Sequence, residues 1–577
     1  MGTFGSFTTV RLGIYAAQKG LDVTGNNITN INTPGYTRQR LNQVSLIPSV
    51  NDRYASIYNP RIGQGAVIAG VDQIRDLGLD ISYRKATSDV GSANTKLAGL
   101  NDLATILDEV GKGDLEQDDG VILSQLNDLR DLISNAITGG VGTYDPLIRS
   151  SAEALTTFFH SSAEKLAGLK TTYEDKFNQQ VDYVNSLLSN IRDLNVSIRN
   201  SDIRGDPGLE LRDERNRLLD ELSQYVKVDV TYSMEPIGTG TEIEKLTIRL
   251  ATGDKNTLVD GEYAAQFNQD TEILARNPAY DPTLSAGPGN EPYLDVNGDP
   301  TLNAADAQKA PNDNYLLTLG PLTDPLGQKQ LVGDMGANIG DTDLYGSLQS
   351  IRELLTEEGD FSSAADAAMD PDAASKRGIP YYQKMLDSLA FEFATQMNAL
   401  NQTGLDGAGN LFSISSNTND DQQTVGGNTI TINASNISVS QGWLNETISI
   451  QATADAHAAS GDVSNLAKFL ALFDEKQSFN PKDIVGDAQG DPYQGTFEDM
   501  LLKIQSTLAK DQMATDSVLN NYTITANDIY VDREGVMGVD LNDEATSLMT
   551  YQKAYTAACR LLTVMEEALD SLINGTV

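Results

Sequence analysis

Asp295, Asn297, Asp299, Asn303 and Asp306 stand at the first, third, fifth, ninth and twelfth places of one short run. That is the spacing at which hard oxygen ligands surround a calcium ion, and Thr301 could offer its carbonyl at the seventh place. Pro300 occupies the sixth place, where the turn calls for glycine. The same residues therefore also read as an Asp- and Asn-rich turn in an acidic chain. Calcium is the one ligand these residue types suggest, and no cofactor is otherwise expected to be required.

Other chemistry is sparsely supplied. The two histidines, His160 and His457, have no second histidine or cysteine at ligand spacing, which argues against zinc. Neither a G-x-S-x-G elbow nor a G-x-x-x-x-G-K phosphate loop occurs. Carboxylates are too abundant for any pair of them to signal acid-base catalysis, so no enzyme is expected. Cys559 is the single cysteine, which rules out a disulfide within one chain. It lies beside an apolar seam and reads as a small buried hydrophobe.

The 577 residues leave room for about three or four domains. With 81 acidic against 41 basic residues the formal charge is −40, which disfavours nucleic acid and anionic membrane surfaces as partners. Copies of such a chain repel one another at low salt, so an assembly of them needs buried apolar seams or screening ions. No segment approaches the roughly 18 consecutive apolar residues of a membrane span, and no membrane insertion is expected. The N-terminus lacks a basic region followed by an apolar run, a pattern that by itself suggests the cytoplasm.

The elements that organise the chain are its two ends. Val10, Ile14, Ala17, Leu21, Thr24, Ile28 and Ile31 recur at alternating spacings of four and three, the seam of a helix that meets another helix. Thr33 before Pro34 stops the helix and Gly35 permits a turn. At the other end Leu541, Leu548, Tyr555, Leu562 and Leu569 repeat every seven residues, with Tyr551, Ala558, Met565 and Leu572 in the second seam position. The first 45 residues carry a net +3 and the last 37 a net −3, a modest bias toward pairing at about 0–1 kcal/mol per exposed ion pair. The alternative is that both are ordinary surface helices on one core.

Asn26-Asn27-Ile28 through Asn30-Ile31-Asn32-Thr33-Pro34-Gly35-Tyr36 resembles the terminal motif of bacterial flagellar axial proteins. Gly538-Val539-Asp540-Leu541-Asn542 to Leu548 and Tyr551-Gln552-Lys553-Ala554-Tyr555 resemble their C-terminal helix. Within that group, Leu211-Arg212-Asp213-Glu214-Arg215 and Leu218 to Ser223 resemble a helix of the FlgK family of hook-associated proteins. The resemblance implies a mainly α fold with a β insert: paired, coiled-coil-like terminal helices, an elongated helical-bundle body and an outer β-rich domain. It implies a structural role at the hook-filament junction, with assembly through the terminal seams and the turn Asn32 to Tyr36. The implied partners are other copies of the chain, the hook protein, the second hook-filament junction protein and an export chaperone for the C-terminal helix. The implied location is extracellular, on the flagellum, reached by type III export without a cleaved signal. A secreted, calcium-stabilised adhesin is the alternative from another class, and its main support is the acidic β-domain.

Periodicity places the rest. Residues 1–60 and 536–577 are expected to form the terminal-helix domain, and 61–226 with 344–535 the body, including a β-rich stretch at about 413–450. Residues 227–343 form the inserted β-domain, where alternation such as Val228-Asp229-Val230-Thr231-Tyr232 marks strands. The spacing predicts helices from about Ser82, interrupted at Gly111 to Gly120, then over Val121 to Ile137, and from Pro146 to about Asn200. The last of these would be a rod of roughly 80 Å. Further helices are predicted over Leu209 to Tyr225, Leu344 to Leu348, Pro380 to Leu400, Val463 to Phe473 and Phe497 to about Asn521.

Overall fold

The computed structural model describes residues 3–46, 65–107, 120–238, 242–270, 272–275, 277, 279, 287–291, 293–303, 305–312, 314–329, 337–425 and 428–574. The interruption expected at Gly111 to Gly120 lies, up to residue 119, outside the described residues.

Helix α1 (Thr3–Thr29) leads through a turn into the antiparallel ribbon of β1 (Gln39–Ser45) and β2 (Ala66–Gln73). The body follows as α2 (Leu77–Leu107), α3 (Val121–Gly139), α4 (Val141–Arg204) and α5 (Leu209–Tyr225). Helix α4 has 64 residues, a rod of roughly 96 Å at 1.5 Å per residue. It begins five residues before Pro146, because the ring removes only one backbone donor so near the helix start. Its buried face runs through Ile148, Leu155, Phe159, Leu166, Tyr173, Phe177, Val184, Ile191 and Ile198. Gly205 and Gly208 then adopt positive φ, at 82° and 53°, and reverse the chain into α5.

The insert is a set of small antiparallel sheets seated on α4. Strands β3 (Val228–Pro236), β4 (Glu242–Leu250), β5 (Thr257–Asp260) and β6 (Tyr263–Ala264) form one meander. Along β3, Val228 and Val230 point into the core while Asp229 and Thr231 face water, which is the period of a half-buried strand. Strand β7 (Phe267–Asn268) pairs with Leu317–Leu319, which also pairs with Ala337–Ile339. The strand expected to start at Tyr315 starts at Leu317 instead, because Tyr315 adopts φ 51°. The Asn185 amide fixes the insert to α4, accepting from Phe267 N at 2.8 Å and donating to Phe267 O at 2.8 Å.

The return half holds α6 (Ser347–Thr356), α7 (Ala364–Met369), α8 (Ile379–Asn401), α9 (Gln441–Leu444), α10 (Ser464–Asp474), α11 (Pro481–Ile484), α12 (Phe497–Met537) and α13 (Leu541–Asn574). Leu344 to Gly346, expected to be helical, is not: Gly346 sits at φ 104° against the Tyr225 carbonyl. Helix α12 runs sixteen residues past the expected end at Asn521, since it packs along α2 for much of its length. One apolar core connects α2 to α6, the insert, α8 and the start of α12. Among the described residues, none from α1 or α13 belongs to it.

Candidate assembly interface

Helices α1 and α13 pair with each other and leave the body together. They run antiparallel: Gly20 faces the ring of Tyr551, while Arg38, after the turn that follows α1, meets Met537 at the end of α12 and Glu544 in the first turn of α13. A side chain at position 20 would overlap the Tyr551 ring, so glycine is what lets the two backbones approach.

On α13 the seam residues Leu548, Tyr551, Ala558, Leu562, Met565 and Leu569 are the half-buried ones. The same seam places Leu541, Tyr555 and Leu572 in solvent, at 54%, 37% and 63% exposure. On α1 Val10, Ala17 and Thr24 are buried, with Ala16, Gly20 and Asn27 beside them. Ile14, Leu21 and Ile28 are half-buried. Ile31 lies beyond the helix end and is 38% exposed. The contact face of α1 is thus rotated toward its small residues, which admit the bulkier side chains of α13. Cys559, expected to be buried, is a free thiol that is half-buried on α13, because a two-helix pair has no third wall. Leu561 and Val564 add exposed apolar surface on the outer side of α13.

The turn motif works through residues mostly upstream of the predicted Asn32 to Tyr36. Asn32, Thr33 and Pro34 are exposed, and Gly35 supplies φ 78°. Asn27 is buried and clamps the first strand: its Nδ2 donates to Gln39 O at 2.9 Å and its Oδ1 accepts from Gln39 N at 3.0 Å. The Tyr36 hydroxyl donates to the same Asn27 Oδ1 at 2.9 Å and accepts from Asn26 at 3.3 Å. Burial and the nearby Asp213, Glu210 and Glu544 push the Tyr36 hydroxyl pKa well up, so it stays a donor.

Below the turn a set of buried charges joins the terminal pair to the body. Arg38 N donates to Met537 O at 2.9 Å, and Arg38 Nε donates to the buried Glu544 at 2.7 Å. Thr37 N donates to Asp213 on α5 at 3.1 Å, and Arg75 Nη1 donates to the Thr37 hydroxyl at 3.1 Å. Asp80 on α2 pairs with Arg75 and, at 2.9 Å, with Arg533 of α12. Asp220 receives Arg533 at 2.6 Å and Arg84 at 2.8 Å. Asp213 and Asp220 lie seven residues apart and so share one face of α5. Arg212 and Arg215 turn to Glu244 of the insert, at 2.7 and 2.6 Å. The Asp213 carboxyl is raised by its burial, against the pull of Thr37 and Arg75.

Sequence reasoning missed this ionic elbow, although its α5 residues fall in the stretch that carried the family resemblance. The run Asp295 to Asp306 folds as a hairpin turn in which Asp295 Oδ1 accepts from Asn297 N at 2.8 Å and Asp299 N at 2.9 Å. Thr301 lies on the return strand, and its hydroxyl accepts from Asn303 N at 3.2 Å. The Asn303 amide donates to Asp306 at 2.9 Å. Backbone donors hold the Asp295 carboxyl below its ordinary value. Among the described residues no group of three His, Cys, Asp or Glu is disposed to hold a metal.

Residues 146–293 match the model of the flagellar hook-associated protein FlgK helical domain. Residues 13–37 match that of the flagella basal body rod protein, and 536–575 that of the flagellar basal body rod FlgEFG protein C-terminal region. The chain is 25% identical to flagellar hook-associated protein 1 of Bacillus subtilis, over 99% of this chain and 98% of that one. It is 26% identical to flagellar hook-associated protein 1 of Salmonella typhimurium, over 44% of this chain and 42% of that one. The solved flagellar hook junction protein FlgK from Burkholderia pseudomallei superposes with a TM-score of 0.38 and 16% identity, over 60% of this chain and 49% of that one. The adhesin alternative finds no counterpart among these relatives. The two outer matches cover much of α1 and α13 and the central one covers α4, α5 and the first part of the insert, so the likeness to flagellar hook-associated proteins reaches both ends and the middle of the chain.

Proposed function

We infer that this protein is a structural subunit of the bacterial flagellum that forms the junction between hook and filament. The observation that carries the reading is the state of the terminal pair: two long helices with a continuous apolar seam, buried only on the side where they touch. Half-buried Leu548, Leu562 and Leu569 and exposed Tyr555, Leu561 and Val564 offer further apolar surface, which neighbouring terminal helices of other copies would cover. The partners proposed for the two ends of the ring are the hook protein and the second junction protein. An export chaperone would cover the α13 seam before secretion, and export would proceed through the type III channel. Catalysis has no part in this reading, and calcium is not needed for it.

The test combines a gene deletion with a seam variant. Cells lacking the gene should carry hooks without filaments. Leu562→Asp should reproduce that phenotype while the purified chain keeps the helical content and main melting transition of the parent, because α13 lies outside the body core. Filaments of normal length on Leu562→Asp cells would sink the reading.

A further inference from the structure

Where the insert rejoins the body, Asn314 and Asp341 of the insert, Glu357 and Glu358 at the end of α6, and Ser362 just beyond enclose a polar cavity of about 30 Å³, room for one small occupant. Most of the carboxylates around it already have partners. Asp341 meets the fully buried Arg352 at 3.1 Å, Glu358 pairs with Lys384, and Asp370 pairs with Lys376 at 2.5 Å. Asp366 is held in the capping box that starts α7, accepting from Ser363 N at 3.0 Å and from its hydroxyl at 2.7 Å.

Glu357 is different. It is 8% exposed, and among the described residues its side chain has no hydrogen bond and no close ion pair, Lys376 acting on it only through space. Ser362, 1% exposed, also leaves its buried hydroxyl without a partner. A carboxylate and a hydroxyl, both desolvated and both facing one void, form a site short of one positive charge. The donors are hard oxygens, and among the described residues no three acidic, His or Cys side chains are disposed to hold a metal. That donor set is too poor in charge for a divalent ion and has no nitrogen or sulfur for a transition metal.

We propose that this cavity is a monovalent-cation site, in which sodium or potassium is held by the Glu357 carboxylate with oxygen ligands from Ser362 and Asn314. Its occupant ties the insert to α6 and to the segment that follows. A proton is the competing occupant, since burial, reinforced by Glu353, Asp341 and Asp370 and opposed by Lys376, pushes the Glu357 carboxyl up to about 8. The site is therefore best read above that pH.

The experiment is thermal unfolding of the full chain at pH 8.5 and constant ionic strength, in sodium, potassium or choline chloride, choline being too large for the cavity. The fitting ion should raise the transition by about 2–4 °C over choline, saturating with concentration. Glu357→Gln should abolish that difference. Ser362→Ala should shift the half-saturating concentration upward, which keeps the test intact if the first variant folds poorly. Sodium-23 relaxation reads binding independently, through broadening that potassium or a fitting competitor reverses. Equal melting in all three salts would overturn the site, as would a response that survives in Glu357→Gln. So would a melting temperature that falls with pH alike in every salt, which would leave the proton as sole occupant.

Discussion

Single residues set how the two ends are anchored. Asp80 is almost wholly buried between Arg75 and Arg533, so removing its charge leaves two desolvated guanidinium groups short of a partner. Because each keeps a second carboxylate, Asp213 or Asp220, Asp80→Asn should cost about 3 kcal/mol, the low end for a broken buried pair. Denaturant titration followed by far-UV circular dichroism measures it. Glu357 gives a pH-dependent signal. Its folded value of about 8 stands above the ordinary 4.5, so the folded chain binds this proton more tightly than the unfolded one. The stabilisation is complete below pH 4.5 and is lost as pH rises through 8. In choline buffers, Glu357→Gln should flatten the decline in melting temperature across that window. Nothing in the chain order marks these residues as a set, because Arg84 and Asp220 stand 136 residues apart, and Arg38 and Glu544 stand 506 apart. Asn27 was visible in the turn motif, but its bidentate hold on Gln39 follows only from the fold.

At the scale of elements, apolar periodicity was legible wherever a helix meets a broad core. The helix predicted from Pro146 to about Asn200 returns as α4, longer by a turn at each end, and α5 has the expected bounds. It failed where only a narrow stripe is covered. The outer part of α12 packs through Leu519, Tyr522, Ala526, Ile529 and Arg533, a 3-4 repeat two of whose members are not aliphatic. On α13 six of the nine seam residues lie on the inner stripe, whereas on α1 the seam leaves out Ala16 and Gly20, which are buried alongside Val10, Ala17 and Thr24. Close approach selects small residues, and a hydrophobicity pattern does not register them. Gly20→Leu should therefore force the Tyr551 ring aside and weaken the pair by about 1–3 kcal/mol. Filament attachment should fall while the melting of the body stays unchanged, which motility assays and calorimetry on the same variant can separate.

Over the whole molecule, charge and connectivity matter more than any one contact. A formal −40 opposes close assembly at low ionic strength, and the apolar terminal seam has to overcome it. In the Asp295 to Asp306 run the Asp295 carboxylate already accepts from two backbone donors of its hairpin turn, which competes with its use as a calcium ligand. Calorimetric titration of the full chain with calcium should give no saturable heat, and a saturable signal lost in Asp295→Ala would restore the loop as a site. The β-rich insert was recognisable from alternation, but its short strands were not, since pairs of two or three residues are too brief to establish a period.

The strand leaving α1 and the helix entering α13 are stitched side by side at Arg38 and Met537. A pull along the terminal pair therefore loads that stitch, the Glu544 contact and the Asp80 and Asp220 clusters in parallel, as a shear, and cannot peel them open one after another. Torque passing from a rotating shaft into such a subunit would be shared among many bonds at one narrow neck, and that neck is where overload should first make the protein yield.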